Sequence, residues 1–343
     1  QGLFINERLE RKCVNGVWGM FARDDIVANV VLASYPVSKL IGSLDIYPQN
    51  TSISAKQIHS AAKEYCRKDD SDYGNFFNFF DSLDYLHKYS TFFINEKELR
   101  IINEVNPLLS REIAHQNYLN QSLINALYDF DPSISKENYT LITLNYNSRA
   151  IGKNGFVPII ECFNHSNEKG EFIHTGNDRV VLKTKIKYTK GEQVYISYGA
   201  LDLYTHAINY NYYASGTDHY IQFHKRFFFP LLTNRDQAIA RELSQAFKVA
   251  IQEINGLRVF SVEDKEAFLN EEKPSKKAMQ IATILAQGRD PNSFLSSYLQ
   301  QSLSQNNVSK FSEKYFPTRL KRFYWVLLKE QEMLSNNIDY LNA

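Results

Sequence analysis

The hydrophobic positions along the chain follow two different periods, and the change of period divides the sequence. The stretch CVNGVWGMFARDDIVANVVLASYP at 13–36 alternates short β-rich pieces with Gly and Asp-Asp, which predicts two or three short strands joined by turns. From about 54 to 150, apolar residues recur at helical spacing instead. We therefore expect a helical insertion after an opening β-region.

The predicted elements of the remaining chain follow from the same patterns. Helices are expected at AKQIHSAAKEYC with Ser54 as N-cap, NFFNFFDSLDYLHKY, REIAHQNYLNQSLINALYDF, and KENYTLITLNYNSRA with Ser135 as N-cap. Strand patterns return between 156 and 198 in FVPII, RVVLKTKIKY and EQVYISY. Helical period dominates from about 234 to the end, apart from the apolar piece GLRVFS. The prediction is a mixed α and β unit followed by a helical region.

Composition limits the classes of function. The chain has 343 residues, enough for one large domain or two moderate ones, and its 39 basic and 38 acidic side chains nearly cancel. Without a global positive field, binding to nucleic acid or to an anionic membrane is not favoured. The basic cluster RLKRF at 319–323 is more typical of a solvated helix face. No apolar run approaches the roughly 18 residues of a membrane span, so we expect a soluble protein.

The spacing of the cysteines and histidines does not indicate a metal centre. Cys13, Cys66 and Cys162 are far apart and show no C-x-x-C pattern, which argues against a disulfide framework and suits a reducing compartment. His165 and His174 lie near Cys162 and Glu161, but their spacing fits no common zinc site. We expect no metal. Phosphate-loop, H-E-x-x-H and G-x-S-x-G signatures are absent from the sequence.

Two apolar runs end in short polar or small groups, Asn164-His165-Ser166 and Tyr198-Gly199. Taken alone, the first is ordinary, because Asn-His-Ser matches an N-glycosylation pattern and also suits the turn after a buried strand. A strand that ends in Tyr-Gly is equally common. Neither group identifies a function by itself.

The order of several such pieces is more specific. GVWGMFARDDI is followed, after the helical insertion, by NSRAI, VPIIECFNHS, KGEQVYISYG and INYNYY. This series resembles the SET-domain methyltransferases, in the branch that includes the Rubisco large-subunit lysine methyltransferase and the actin-histidine methyltransferase. The resemblance covers nearly the whole chain. It implies an α+β SET fold of short twisted strands with a helical insertion at about 50–148, within a SET domain at 1–225, followed by an all-α substrate-binding domain at 226–343.

The sequence departs from the family pattern at a few positions. The usual Asp before the Asn-His pair is Glu161, which keeps the carboxylate. The glycine of the family's Tyr-Gly-Phe motif is Asn211, which also tolerates a left-handed backbone, and the aromatic after it is Tyr212. The Asn expected shortly after Tyr-Gly has no clear match near Asp202. None of these changes removes a reacting group.

The resemblance implies S-adenosyl-L-methionine as the cofactor and a protein as the substrate. It assigns the catalytic hydroxyl to Tyr198. The cofactor-binding residues that it implies are Trp18, Met20, Arg149, Glu161, Asn164, His165, Tyr198 and Tyr212. Arg149 suits the carboxylate of the cofactor, the backbone around Trp18 suits its amino group, and Tyr212 offers a flat face to the adenine.

In the branch that this chain resembles, the residue two places after the arginine of the Ser-Arg pair lies beside the nitrogen that accepts the methyl group. Histidine-modifying members of the branch carry Asn there and lysine-modifying members carry an apolar side chain, and this chain has Ile151. An apolar wall disfavours the charged amine, so lysine N-methylation is expected. The alternatives are a histidine N-methyltransferase and an inactive SET scaffold that binds a protein partner. We expect a monomer in an intracellular compartment, cytoplasmic or nuclear, and the Asn, Lys, Ile and Tyr richness is compatible with a bacterial protein acting in a host cell.

Overall fold

The structure is a computed structural model. It describes the chain except for residues 1, 15–16, 42–51, 152–153, 167–169, 172, 199–201, 212–218, 224–226, 255 and 265. The chain divides into two compact units, of which the first comprises residues 1–92 and 116–199 and the second comprises residues 93–115 and 200–343. The domain boundary expected near residue 225 stays a prediction.

The strands are short, as the sequence pattern indicates. In chain order they are β1 (Phe4–Ile5), β2 (Leu9–Val14), β3 (Val17–Ala22), β4 (Val31–Pro36), β5 (Asn164–His165), β6 (Ile173–Thr175), β7 (Arg179–Lys183), β8 (Gln193–Ile196), β9 (Ile221–Gln222), β10 (Phe229–Pro230), β11 (Val249–Ile254), β12 (Leu257–Val262) and β13 (Phe268–Leu269). In the first unit they form two four-stranded sheets, with the orders β1-β4-β7-β6 and β2-β3-β8-β5. All pairs in these sheets are antiparallel except β5 with β8, which are parallel.

The helices are distributed over both units. They are α1 (Ile53–Cys66), α2 (Gly74–Phe77), α3 (Leu83–Tyr89), α4 (Glu96–Val105), α5 (Pro107–Phe130), α6 (Lys136–Arg149), α7 (Leu203–Tyr210), α8 (Asn234–Ser244), α9 (Lys276–Ala286), α10 (Pro291–Gln305) and α11 (Lys321–Asn342). Short 3₁₀ turns lie at Val37–Lys39, Thr91–Phe93, Ile160–Cys162, Val308–Lys310, Glu313–Tyr315 and Thr318–Leu320. Within the described ranges, no helix is both long and apolar enough to cross a membrane.

The aromatic stretch NFFNFFDSLDYLHKY was expected as one helix, and this prediction is wrong. It forms α2 and α3 with a break between them. At the break, the backbone of Asp81 is held by the side chain of Asn145 on α6, which accepts from the Asp81 N–H at 2.8 Å and donates to its carbonyl at 3.0 Å. The Ser82 hydroxyl then caps α3. A tertiary contact and a local cap therefore override the continuous helical period.

Two further expectations need correction. Helix α1 is capped by Ser52, whose side chain accepts from the Ala55 N–H, so the helix begins before the expected cap Ser54. FVPII is not a strand. Pro158 lacks the N–H that a ladder needs, and Ile159 has φ 74°, a left-handed conformation that a β-branched side chain rarely adopts. The chain therefore turns at this point and enters the 3₁₀ turn at Ile160–Cys162 before β5.

The hydrophobic core of the first unit has two parts. Side chains from both sheets meet in one cluster, which includes Leu32, Leu182, Val194, Ile196 and Phe163. A second cluster lies among the helices of the insertion and includes Ile58, Phe76, Phe77, Tyr139 and Ile142. The sheets that position the candidate site are thus fixed by their own apolar core.

The second unit is mainly helical, as expected, but the all-α domain implied for 226–343 also contains strands. Strands β10, β12 and β11 form an antiparallel three-stranded sheet in that order, and β9 pairs with β13. The apolar piece GLRVFS noted in the sequence supplies most of β12. Asn211 has φ 59° at the end of α7, the left-handed conformation that the sequence predicts for this position.

Glu171 holds the loop before β8 in place through hydrogen bonds. Its carboxylate is buried and accepts hydrogen bonds from the Lys185 N–H at 2.7 Å, from the Ile186 N–H at 3.3 Å and from the Tyr188 hydroxyl at 3.1 Å. Its own backbone pairs beside β8, where Glu171 N–H donates to the Tyr195 carbonyl at 3.0 Å. One residue thus links the loop before β8 to the end of that strand.

Removing this carboxylate should destabilise the protein. In Glu171→Ala, the part-buried N–H groups of Lys185 and Ile186 and the buried Tyr188 hydroxyl lose their acceptor, which we expect to lower the free energy of unfolding by about 1–3 kcal/mol. Urea unfolding followed by circular dichroism measures the change. Glu7→Ala, at an exposed glutamate of the same unit, is the matched control and should stay within about 0.5 kcal/mol of wild type. Equal stability of Glu171→Ala and wild type would contradict this role.

Candidate active site

The Asn-His pair and Tyr198 come together through one pair of strands. Asn164 pairs with Tyr195 and His165 with Ile196 in the parallel ladder of β5 and β8. Tyr198 follows two residues after β8 ends. The parallel register therefore brings the end of the Asn-His turn and the end of the Tyr-Gly strand to the same edge of the sheet.

His165 and Tyr198 are in direct contact. Their rings stack with centroids 4.8 Å apart and an interplanar angle of 24°. The Tyr198 N–H donates to His165 Nδ1 at 3.0 Å, so a neutral imidazole here carries its proton on Nε2. The Tyr198 hydroxyl donates to the Phe163 carbonyl at 3.0 Å. These contacts fix the tyrosine ring and put its oxygen beside a backbone carbonyl.

Asn164 links this edge to strand β3. Its Nδ2 donates to the Trp18 carbonyl at 2.9 Å. A Cβ added at the neighbouring Gly19 would collide with the side-chain amides of Gln193 and Asn164, so glycine leaves room for both amides beside β3. Met20 is buried and pairs with Val194 on β8, whereas the Trp18 side chain is 54% exposed. At this point β3 contributes the backbone carbonyl of Trp18 to the contact with Asn164.

Arg149 lies between two carboxylates. Its Nη2 is 3.3 Å from Asp81 Oδ1, its Nη1 is 3.9 Å from Glu161 Oε1, and its Nε donates to Asn145 Oδ1 at 3.2 Å. The Glu161 side chain is 1% exposed. Neither of its carboxylate oxygens has a hydrogen-bond partner in the described part of the chain. Burial raises the pKa of Glu161 to about 8, and the charges of Arg149 and Arg11 only partly oppose this.

Arg11 and Phe79 belong to the same region, and the sequence analysis missed both. The Arg11 guanidinium lies 4.4 Å from the centroid of the Trp18 ring and 4.4 Å from that of Phe79, so two aromatic faces hold one cation. The feature that could have identified Arg11 is the β2–β3 hairpin, in which Arg11 pairs with the predicted site residue Met20. Phe79 and Asp81 come from the break after α2, which helical periodicity does not indicate.

Of the two remaining predicted site residues, Ile151 and Tyr212, the structure describes only the first. Ile151 follows α6, donates its N–H to the Gly155 carbonyl at 2.8 Å and packs against the same apolar cluster as Tyr198. Tyr212 lies outside the described residues. Among the residues that are described, no three His, Cys, Asp or Glu side chains are grouped so that they could hold a metal ion.

Comparisons with known proteins agree with this geometry. A family model described as the SET domain matches residues 17–199, more than half of the chain. No curated protein shows a significant match. A crystal structure of the SET domain of LSMT bound to lysine and AdoHcy has TM-score 0.65 and 14% identity, and the match covers 98% of this chain and 86% of that chain.

Two further solved structures give similar values. The SET domain of LSMT bound to MeLysine and AdoHcy has TM-score 0.65 and 14% identity, over 99% of this chain and 88% of that chain. Rubisco LSMT bound to AdoMet has TM-score 0.61 and 13% identity, over 98% and 87%. At this identity the likeness concerns the fold, and together with the family model it confirms the fold expected from the motifs.

The buried carboxylate of Glu161 should make stability depend on pH. Its pKa is about 8 in the folded protein and near 4.5 without burial, so the folded state keeps a proton that the unfolded chain releases between these values. The stability that protonated Glu161 contributes is fully present below about pH 4.5 and is lost as the pH rises through about 8. Glu161→Gln is neutral at every pH and should lose less stability over this range.

Urea unfolding of wild type and Glu161→Gln at a series of pH values between about 5 and 9 measures the difference. The difference in unfolding free energy between the two proteins should grow with pH in favour of the variant. Glu7→Gln, at an exposed position, controls for the change of one carboxylate. Parallel pH profiles for wild type and Glu161→Gln would show that Glu161 has an ordinary pKa.

Proposed function

Because the chain belongs to the SET-domain family, we propose that it transfers a methyl group from S-adenosylmethionine to a lysine side chain of a protein substrate. The observation that carries the proposal is the convergence at one sheet edge. The Tyr198 hydroxyl bonds the Phe163 carbonyl, and the next residue, Asn164, bonds the Trp18 carbonyl through its side chain. Methyl transfer needs such fixed oxygens more than it needs a covalent nucleophile.

The residues present fit the charges of this cofactor. The amino-acid end of S-adenosylmethionine carries an ammonium and a carboxylate. The buried oxygens of Glu161 lack hydrogen bonds within the described chain, and a cationic ammonium would supply donors for them. Arg149 beside them is a cation that can pair with a carboxylate. The cofactor-binding set that includes Trp18, Met20 and His165 is proposed on this basis.

When bound, the cofactor supplies an electrophilic methyl group on a sulfonium. The residues of the chain have to bind the two reactants, exclude water and offer negative partial charge at the reacting centre. Tyr198 suits this role, because its hydroxyl donates to the Phe163 carbonyl and its oxygen remains an acceptor directed by the stacked ring. Preorganised oxygens of this kind need not reorient during the reaction.

The acceptor is proposed to be lysine. The free pKa of a lysine ammonium is about 10.4, so the amine must lose a proton before it can attack. Ile151 is half-buried and packs on the apolar cluster that also contacts Tyr198. Such an apolar wall disfavours the charged amine and offers no hydrogen bond to an imidazole. Ile151 therefore favours lysine over the alternative of histidine N-methylation.

The wider assignments rest on the family resemblance. We propose that residues 226–343 bind the substrate protein and that the enzyme acts as a monomer inside the cell. A titration with S-adenosylhomocysteine in a calorimeter separates the enzyme from the remaining alternative, a SET scaffold without activity. Detectable binding supports the enzyme, and its absence in folded protein favours the scaffold.

Tyr198→Phe should reduce methyl transfer and leave cofactor binding nearly unchanged. The variant loses only the hydroxyl at the reacting centre, and removal of one preorganised group of this kind typically costs about 10²–10³-fold in rate. Single-turnover transfer of radiolabelled methyl measures the rate, and calorimetry with S-adenosylhomocysteine measures binding.

Tyr195→Phe is the matched control. Tyr195 lies on β8, three residues before Tyr198, and its hydroxyl donates to Gln193 Oε1 at 3.0 Å. This variant should retain the wild-type rate within a few fold. If Tyr198→Phe also turns over at the wild-type rate, Tyr198 has no catalytic role.

The methylated atom should be a lysine Nζ. Radiolabelled methyl transfer into a cell lysate, followed by fragmentation mass spectrometry of the labelled protein, locates the added mass. Ile151→Asn places a polar amide in the apolar wall, so we expect it to lower the rate on lysine by roughly tenfold or more. Methyl mass on a histidine ring, with lysines unmodified, would instead establish the histidine alternative.

A further inference from the structure

The second unit contains a cleft that includes none of the candidate active-site residues. Its cavity has a volume of about 340 Å³, at the lower end of the usual range for ligand sites. It is lined by residues of α8, of strands β11 and β12 and of the segment after β10: Leu231, Gln237, Ala240, Arg241, Ser244, Val249, Ile251 and Arg258. All of these residues belong to the second unit.

The sheet contributes one face to the cleft. Ile251 pairs with Phe260, and Val249 pairs with Val262 in the β11–β12 ladder, so these four side chains point to the same side. Arg258 lies two residues before Phe260 and therefore shares that side. The Leu231 N–H donates to the Arg258 carbonyl at 2.8 Å, which continues the pairing of β10 beyond Pro230.

Helix α8 forms the opposite wall. Gln237, Ala240, Arg241 and Ser244 are spaced by three or four residues, so they share one helix face. Ala240 is buried in the same cluster as Phe260 and Val262, which places this face against the sheet. The cleft is therefore the part of the helix–sheet contact that the chain's own side chains leave open.

The walls combine apolar surface with two cations. Leu231 and Val249 pack on the core, while the Ile251 side chain is 55% exposed. Arg241 and Arg258 line the cleft from opposite walls, and neither guanidinium has an ion pair or side-chain hydrogen bond among the described residues. Glu253 is opposite Arg258 in the strand register but makes no ion pair with it.

We propose that this cleft binds an acidic segment of a partner protein, with an apolar side chain between α8 and β11 and with carboxylates on Arg241 and Arg258. Guanidinium groups pair with carboxylates through two parallel hydrogen bonds, and two unpaired ones on facing walls complement a segment with spaced acidic residues. An apolar side chain of the segment would cover the apolar wall of the cleft, whereas a small anion would leave that surface in contact with water. The cleft lies within residues 226–343, so the proposal rests on their assignment to binding of the substrate protein and names the chemistry of one contact. Peptide binding is measured without methyl transfer and therefore tests this contact separately.

Other ligands of the same charge fit less well. Single-stranded nucleic acid binds through aromatic stacking, and no aromatic side chain lines the cleft. The formal net charge of the chain is only +1, so no broad positive field accompanies the two arginines. The recognition is therefore local and requires a ligand with both apolar and anionic parts.

Fluorescence anisotropy with a fluorescein-labelled peptide of alternating glutamate and leucine tests the proposal on the full chain at low salt. We expect saturable binding that weakens about tenfold or more in Arg241→Glu and in Arg258→Glu. Ser244→Trp adds no charge but fills the cleft, and it should weaken binding as well. A peptide of alternating lysine and leucine should not bind.

Arg235→Glu is the matched control. Arg235 is also exposed on α8, outside the cleft, where its Nε donates to Gln287. This variant should retain the wild-type affinity. Equal losses in Arg235→Glu and Arg241→Glu would show unspecific charge attraction and overturn the proposal, as would no binding to wild type or full displacement by millimolar inorganic phosphate. Calorimetry with S-adenosylhomocysteine is unaffected by any of these results.

Discussion

The parallel ladder of β5 and β8 joins two stretches that are 33 positions apart at their closest functional contact, His165 with Tyr198. A parallel pair cannot be closed by a tight turn and requires a crossover connection. Here the connecting chain forms β6 and β7 of the other four-stranded sheet and returns through the loop held by Glu171. The position of Tyr198 therefore depends on both sheets and on one buried carboxylate outside the site.

The charges around Arg149 are balanced in a way that its motif alone does not indicate. Arg149 forms an ion pair with Asp81, while burial raises the pKa of Glu161 to about 8 and so favours its protonated form. The cation left over is Arg11, which is held between Trp18 and Phe79. A zwitterion can match both parts, since its carboxylate faces cations and its ammonium favours ionisation of Glu161. Binding of such a ligand should then release a proton from Glu161.

Local patterns predicted much of this structure. The strands at 13–36, the cap at Ser135 and the left-handed Asn211 depend on near neighbours in the chain, and the structure has all of them. The break between α2 and α3 depends on Asn145, which is 64 residues away, and the position of Asp81 follows from it. The prediction of FVPII as a strand failed because apolar character does not reveal the backbone turn at Ile159. The order of motifs indicated the site, whereas its charge balance required tertiary contacts.

Half-buried and exposed arginines of this chain should respond differently to salt. The Arg149 side chain is 21% exposed and lies beside the buried Glu161, whereas Arg11 is exposed beside its two aromatic rings. Arg241 and Arg258 are exposed and have no fixed partner in the described chain. At physiological ionic strength the screening length is about 8 Å, which weakens interactions of exposed charges far more than those of buried ones. A ligand contact to Arg149 should therefore vary little with salt, whereas an acidic segment in the cleft of the second unit should dissociate as salt is added.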